Sequence, residues 1–255
     1  MKSVKLFIPV VCFWIALLIP FHSFAEGNTV IGVPGVNVGI QTSSNPQDVA
    51  ASLQILLLLT VLTLAPAILI MMTCFTRIIV VLSFVRNALS TQQIPPNQVL
   101  IGLALFMTLF VMSPTLSQVN QQALQPYLAG QISQTEAMQK AAIPFKHFMA
   151  KQTREQDLRL FLDYRKQPMP KSVEEIPLST LVPAYAISEL KTAFQIGFML
   201  FIPFLIIDLV VTTTLMSMGM MFLPPVTISL PFKILLFVMV DGWYLVVKSL
   251  LQGYQ

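Results

Sequence analysis

Long apolar runs, each interrupted by proline, alternate along this chain with a single charged stretch, and that pattern predicts its elements. Leu53 to Met72 is apolar over about 20 residues, enough to span a bilayer as a helix, with Pro66 inside it. Thr73 to Gln98 follows, with Arg77 and Arg86 projecting from an otherwise membrane-like helix around Ile78–Val85, and no acidic residue. By the positive-inside rule this connection faces the cytoplasm. Pro95-Pro96 ends it, and Val99 to Val119 forms a second span with Pro114 near its end. Apolar runs return from Ala184 to Met218, broken by Pro203, and from Val226 to Leu251.

Between the last two runs lies Gly219-Met220-Met221-Phe222-Leu223-Pro224-Pro225. This stretch carries no charge, yet it cannot continue a helix, because the glycine loosens the backbone and prolines lack the N–H donor. Irregular backbone at membrane depth is tolerated where protein buries it or where it lines a cavity. The turn therefore reads as a constriction in a pore. Met216, Met218, Met220 and Met221 cluster around it. They serve either as adaptable filler or as flexible thioethers that close an opening and move aside for a passing chain.

The polar stretch runs from about Asn120 to Pro183. Fourteen of the 26 charged residues (15 Lys+Arg and 11 Asp+Glu) fall between Glu136 and Glu175, so a small domain outside the membrane is expected here. Alternation of spans puts it on the periplasmic side. Ala141, Phe145, Phe148 and Met149 recur at helical steps, and Phe161 follows further on. Within the charged run Lys151–Arg159, Arg154 stands three residues before Asp157 and Glu155 four before Arg159, spacings that pair on one helix face. The run reads as a solvated face, and Phe145, Phe148 and Phe161 as candidate contacts between copies. Pro168, Pro170 and Pro177 make the end of this domain extended.

The first residues read as a secretory signal peptide. Lys2 and Lys5 precede an apolar region to Phe21, and Ser23-Phe24-Ala25 suits cleavage after Ala25. Residues 26–50, rich in Gly, Asn, Ser and Pro, form a flexible leader. The expected organisation is thus a signal peptide (1–25), a leader (26–50), a hydrophobic helical hairpin (51–119), a periplasmic helical domain (120–183) and a second hydrophobic hairpin carrying the turn (184–255). The fold class is all-α, of integral membrane type.

Composition agrees: 55% of residues are hydrophobic and 10% charged, against about 25% charged in soluble domains. The net charge of +4 carries no basic block with interleaved aromatics, which argues against nucleic acid as a partner. Removal of the signal takes Cys12 and His22 with it, leaving Cys74 and His147. One of each supplies no metal centre with the usual ligands and no disulfide within the chain. Hydrolase, metalloprotease, P-loop and dinucleotide motifs are missing, so catalytic residues, cofactors and metals are all read as none. Charges deep in the apolar runs are costly, roughly 3 kcal/mol each on insertion scales. Glu189, Lys191, Asp208, Lys233 and Asp241 carry them. Glu189 and Asp208 are candidates for contacts with Lys191, Lys233 or a neighbouring subunit, either as buried pairs fixing register or as part of a proton path.

Four stretches together resemble the FliP family of flagellar export-gate proteins: Phe75–Ser90, Gln93–Asn97, Ile187–Phe198 and Pro231–Trp243. The likeness covers roughly residue 50 to the end. Homologues from virulence injectisomes share the Arg86–Leu89 and Pro95-Pro96 elements, while Arg77–Arg86 is more like the flagellar branch. The resemblance implies a pore-forming homo-oligomer, a pentamer within a complex with FliQ and FliR, with FlhA and FlhB nearby. It would pass unfolded flagellar subunits across the bacterial inner membrane at the flagellar basal body, driven by the proton motive force. It also implies bent hairpins, partly above the membrane plane, rather than four simple spans. A methionine gasket would map onto Met220, Met221 and Phe222, with phenylalanine where the family's third methionine stands. Subunit contacts would map onto Phe148 and Phe161, and polar positions onto Glu189, Asp208 and Lys233. The other readings are an injectisome gate subunit, a scaffold whose partners form the pore, and a small-molecule secondary transporter. The last would be expected to show inverted repeats.

Overall fold

A computed structural model describes residues 46–91, 93–220 and 222–254, with side chains from residue 53 onward except at position 65. The expected signal peptide and most of the expected leader lie outside the described residues, as does Met221. Every regular element among the described residues is helical. The chain divides into two units at Leu57/Leu58. In the first, the described part is the opening of helix α1 (Pro46–Met71), which begins inside the expected leader, with Leu53, Leu56 and Leu57 exposed. Proline suits the first turn, where a missing N–H costs nothing.

The second unit holds the rest. From Leu58 to Met71, position 65 aside, α1 is apolar on every face and exposed. That is the composition of a helix meant for lipid or for burial in an assembly. The expected connection holds a helix at the centre of the fold. Helix α2 (Phe75–Ala88) buries Arg77, Ile78, Val81, Leu82, Val85 and Ala88, a three-to-four residue stripe. It packs against α3 (Asn97–Val119) and, most extensively, α7 (Leu178–Ser217). A Cβ at Gly197 of α7 would stand 2.5 Å from Cγ of Phe84, so the missing side chain is what lets the two helices approach. A positive stretch read by composition alone is a core helix because its most extensive partner, α7, begins about ninety residues downstream, beyond the reach of local pattern.

After α3 the chain passes through a π-helical turn (Asn120–Leu124) into the short α4 (Gln125–Leu128). The helically patterned stretch that carries Ala141, Phe145, Phe148, Met149 and Phe161 is two helices, α5 (Gln134–Gln152) and α6 (Glu155–Tyr164), split at Thr153-Arg154. Ser133 caps α5, its Oγ accepting from the Glu136 N–H at 3.3 Å. A second core gathers Met149, Leu158, Leu162, Ile176, Leu181, Ala184 and Tyr185, and Phe145 and Phe148 touch both cores.

Helix α7 corrects the expected break at Pro203. It runs unbroken for 40 residues through Pro183 and Pro203. Apolar surroundings offer no water to take up the freed carbonyls, and tertiary packing holds such helices through proline. At 1.5 Å per residue α7 is roughly 60 Å long, about twice the bilayer's hydrocarbon core. Its buried residues lie between Thr180 and Phe204, so the first half belongs to the core and the second half projects apolar side chains outward. The last run is also divided, into α8 (Pro225–Met239) and α9 (Gly242–Gln252), bent by 62°. Asp241 takes a left-handed φ of 50° at the break, and a Cβ at Gly242 would fall 2.2 Å from Cδ2 of Phe237. Among the described residues, three helices are long and apolar enough to cross a membrane, or four if the bent pair is one span.

Candidate functional site

Helices α7 and α8 pack as a hairpin, and the turn between them is built by its own sequence. Gly219, at φ 75°, ends α7: its N–H reaches the Met216 carbonyl at 3.0 Å and the Met220 N–H reaches the Leu215 carbonyl at 3.0 Å. This paired closure needs a residue in the left-handed region, which glycine adopts without penalty. Pro224 then precedes Pro225, the first residue of α8, where its fixed φ fits. What the turn presents is apolar and uncovered. Met216, Met218, Met220 and Leu223 are exposed, and Phe222 is 102% exposed. The turn expected from sequence is therefore present, with a phenylalanine at its tip.

Below the tip, a polar cluster joins the two arms. Lys233 Nζ, 1% exposed, donates to Asp208 Oδ2 at 2.5 Å and to Ser90 Oγ at 2.7 Å. Ser229 Oγ–H donates to the other carboxylate oxygen at 2.6 Å. Asp208 is on α7, Ser229 and Lys233 on α8, and Ser90 just past α2, where it holds a left-handed φ of 56°. The arms of the hairpin are thus clipped to each other and to the end of the central helix. Of the partners open to Asp208 on sequence, Lys233 is the one it takes.

Glu189 takes a partner that sequence had placed elsewhere. Fully buried, it forms an ion pair with Arg77 of α2. Its second oxygen accepts from the Tyr254 hydroxyl at 2.7 Å. Lys191, read as a possible partner, is exposed and in no ion pair among the described residues. Two residues on in a helix, it cannot face the same way as Glu189. One signal was available: Arg77 sits in a segment without acids, so its counter-charge had to come from a distant run.

In α5 and α6, the outer pair of helices formed by the polar stretch, both expected pairs form. Arg154 Nη2 meets Asp157 Oδ2 at 2.6 Å, and Arg159 meets Glu155. The charged run is not wholly a solvated face, however. Asp157 is 7% exposed and accepts the Ser188 hydroxyl of α7 at 2.6 Å. Phe148 and Phe161 are half-buried against their own chain. Phe148 packs edge-on against Tyr185 and stacks on Tyr254, and Phe161 lies against the second core. Asp241 is exposed at the α8–α9 bend. Cys74, just ahead of α2, is fully buried, which pushes its thiol up to about 11. It is a packing residue.

The FliP family model matches residues 58–250. The chain belongs to the FliP family. It is 64% identical over 217 residues to the flagellar biosynthetic protein FliP of Bacillus subtilis, covering 85% of this chain and 98% of that one. The FliP of Pectobacterium carotovorum is 55% identical over 85% of each chain. That of Aquifex aeolicus is 52% identical over 80% of this chain and 86% of its own. The matched region begins within α1 and takes in the central helix, the outer helices, the hairpin and nearly all of α9. All the polar clusters described above, save Tyr254, fall inside it.

Proposed function

We propose that this chain is a pore-forming, non-enzymatic subunit of the flagellar type III protein export gate, passing unfolded flagellar proteins across the bacterial inner membrane. The observation that carries the reading is the exposed Met-and-Phe turn between two long apolar arms, in a chain of the FliP family. Several copies around an axis would bring their turns together. Burying one Phe or Met side chain is worth about 1.5–3 kcal/mol, so a closed ring gains several kcal/mol per subunit from Met220 and Phe222 alone. Thioether side chains give way readily to irregular shapes, which suits a seal that must open for varied sequences.

On this reading Met220, Met221 and Phe222 form the gasket, and the Asp208–Lys233 clip keeps the arms in register. The exposed apolar faces of α1, α3, α7 and α8 meet further copies, arranged as a pentamer, and the partners FliQ and FliR, with FlhA and FlhB alongside at the basal body. Phe148 and Phe161 support the outer helices at which copies meet. The outer helices stand on the periplasmic side. The relatives carry flagellar names, which favours this assembly over an injectisome gate or a small-molecule transporter. Ion leak and secretion of flagellar subunits, measured in cells carrying Met220→Ala/Met221→Ala, test the reading. A raised leak with the complex still assembled is expected. Unchanged leak and unchanged export would overturn the seal.

A further inference from the structure

The two residues after α9 return to the centre of the molecule. Tyr254 Oη donates to Glu189 Oε2 at 2.7 Å, its ring lies 4.1 Å from the Arg77 guanidinium carbon, and it stacks on Phe148 with centroids 6.1 Å apart. The Gly253 carbonyl accepts from Arg77 Nη1 at 3.2 Å. Arg77 Nη2 reaches Gln152 Oε1, at the last residue of α5, at 3.2 Å. Four separate pieces of chain thus converge on one buried ion pair: α2, the end of α5, α7 and the segment after α9.

Each remaining donor or lone pair of a buried ion pair that finds a partner offsets part of the cost of taking the charges out of water. Here the second carboxylate oxygen of Glu189 is satisfied by Tyr254 and one guanidinium nitrogen of Arg77 by Gly253, while Arg77 Nε is buried without a hydrogen-bond partner. The cationic face of Arg77 lies against the Tyr254 ring, an attraction that strengthens when water is excluded. The same ring is the surface on which Phe148 rests. The outer helices are therefore fastened to the hydrophobic helices partly through a side chain that belongs to neither. The hairpin carrying the turn has its own clip at Asp208 and Lys233, with no atom in common with this one.

We infer that Gly253–Tyr254 is a clasp, and Tyr254 a positioning residue, holding the end of α5 against α2 and α7 through the Arg77–Glu189 pair. This goes beyond the export reading, and its main test does not depend on it.

The test is amide hydrogen exchange on the whole chain, purified in detergent, for wild type, Tyr254→Phe and Tyr254→Ala. Tyr254→Phe removes only the hydroxyl bond to the carboxylate, while Tyr254→Ala also removes the ring contacts. For Tyr254→Ala, exchange at Phe148–Thr153 should rise well beyond about tenfold, since a lost hydrogen bond to a charged group alone accounts for roughly tenfold and the ring contacts go as well. Tyr254→Phe should raise it less, in the same segment, with Asp208–Lys233 unchanged in both. No change at Phe148–Thr153, or an equal rise across Asp208–Lys233, overturns the clasp. If Tyr254→Ala does not accumulate, Tyr254→Phe decides alone by the same two readings.

Discussion

Ser188 and Glu189 are adjacent in α7, both fully buried, and bonded in different directions. Ser188 Oγ–H donates to Asp157 of α6, and the same oxygen accepts the Arg154 N–H at 3.1 Å. Glu189 holds Arg77 of α2 and the Tyr254 hydroxyl. One turn of one helix thereby ties the outer helices to the central helix.

The two halves of this junction should fail unequally. Ser188→Ala leaves Asp157 with Arg154 and strands a neutral N–H, at a cost of about 1–3 kcal/mol. Glu189→Ala leaves the Arg77 guanidinium buried without its counter-charge, at about 3–5 kcal/mol. Thermal unfolding in detergent should show a clearly larger fall for Glu189→Ala. Replacing both Arg77 and Glu189 with methionine should recover part of it.

The clip at the hairpin is also asymmetric. The Lys233 side chain is 1% exposed, whereas that of Asp208 is 27% exposed. Asp208→Ala therefore strands a buried ammonium, while Lys233→Met leaves a partly hydrated carboxylate still bonded to Ser229. Asp208→Ala should lose about 3–5 kcal/mol and Lys233→Met markedly less. Comparison of melting temperatures and of steady-state protein level checks the order.

Gly197→Ala should weaken the α2–α7 contact by about 1–3 kcal/mol, since its Cβ would meet the Phe84 ring and force it aside. Phe84→Leu in the same chain should restore much of the loss. A melting-temperature series over the two single variants and the double one reads this directly.

Gly219→Ala tests the turn rather than the core. A Cβ there would meet no atom within 4 Å, so only the left-handed backbone resists it. The cost is about 1–2 kcal/mol, local to the end of α7. Overall thermal stability should change little, while ion leak through the assembled complex should change measurably.

How much of this was legible in the residues can be judged element by element. The turn was, because Gly219, Pro224 and Pro225 act through their own backbones. The ion pairs Arg154–Asp157 and Glu155–Arg159 were, because helical spacing brings neighbours together. The bend at Asp241-Gly242 carried a sequence signal that apolar length concealed. By contrast, α7 continuing through Pro203 was not legible, since proline breaks a helix only when nothing else holds it.

Local chemistry and periodicity therefore determined that the chain is helical, largely apolar, and turned by a Met-rich loop between two long arms. Only the tertiary structure decided that α2 is a core helix, that Arg77 rather than Lys191 faces Glu189, and that Ser90 and Tyr254 complete the two polar clusters. The reason is physical. A backbone preference is written in the residue that has it. The partner of a buried charge is chosen by which distant side chains share the same dry volume, and no spacing along the chain encodes that.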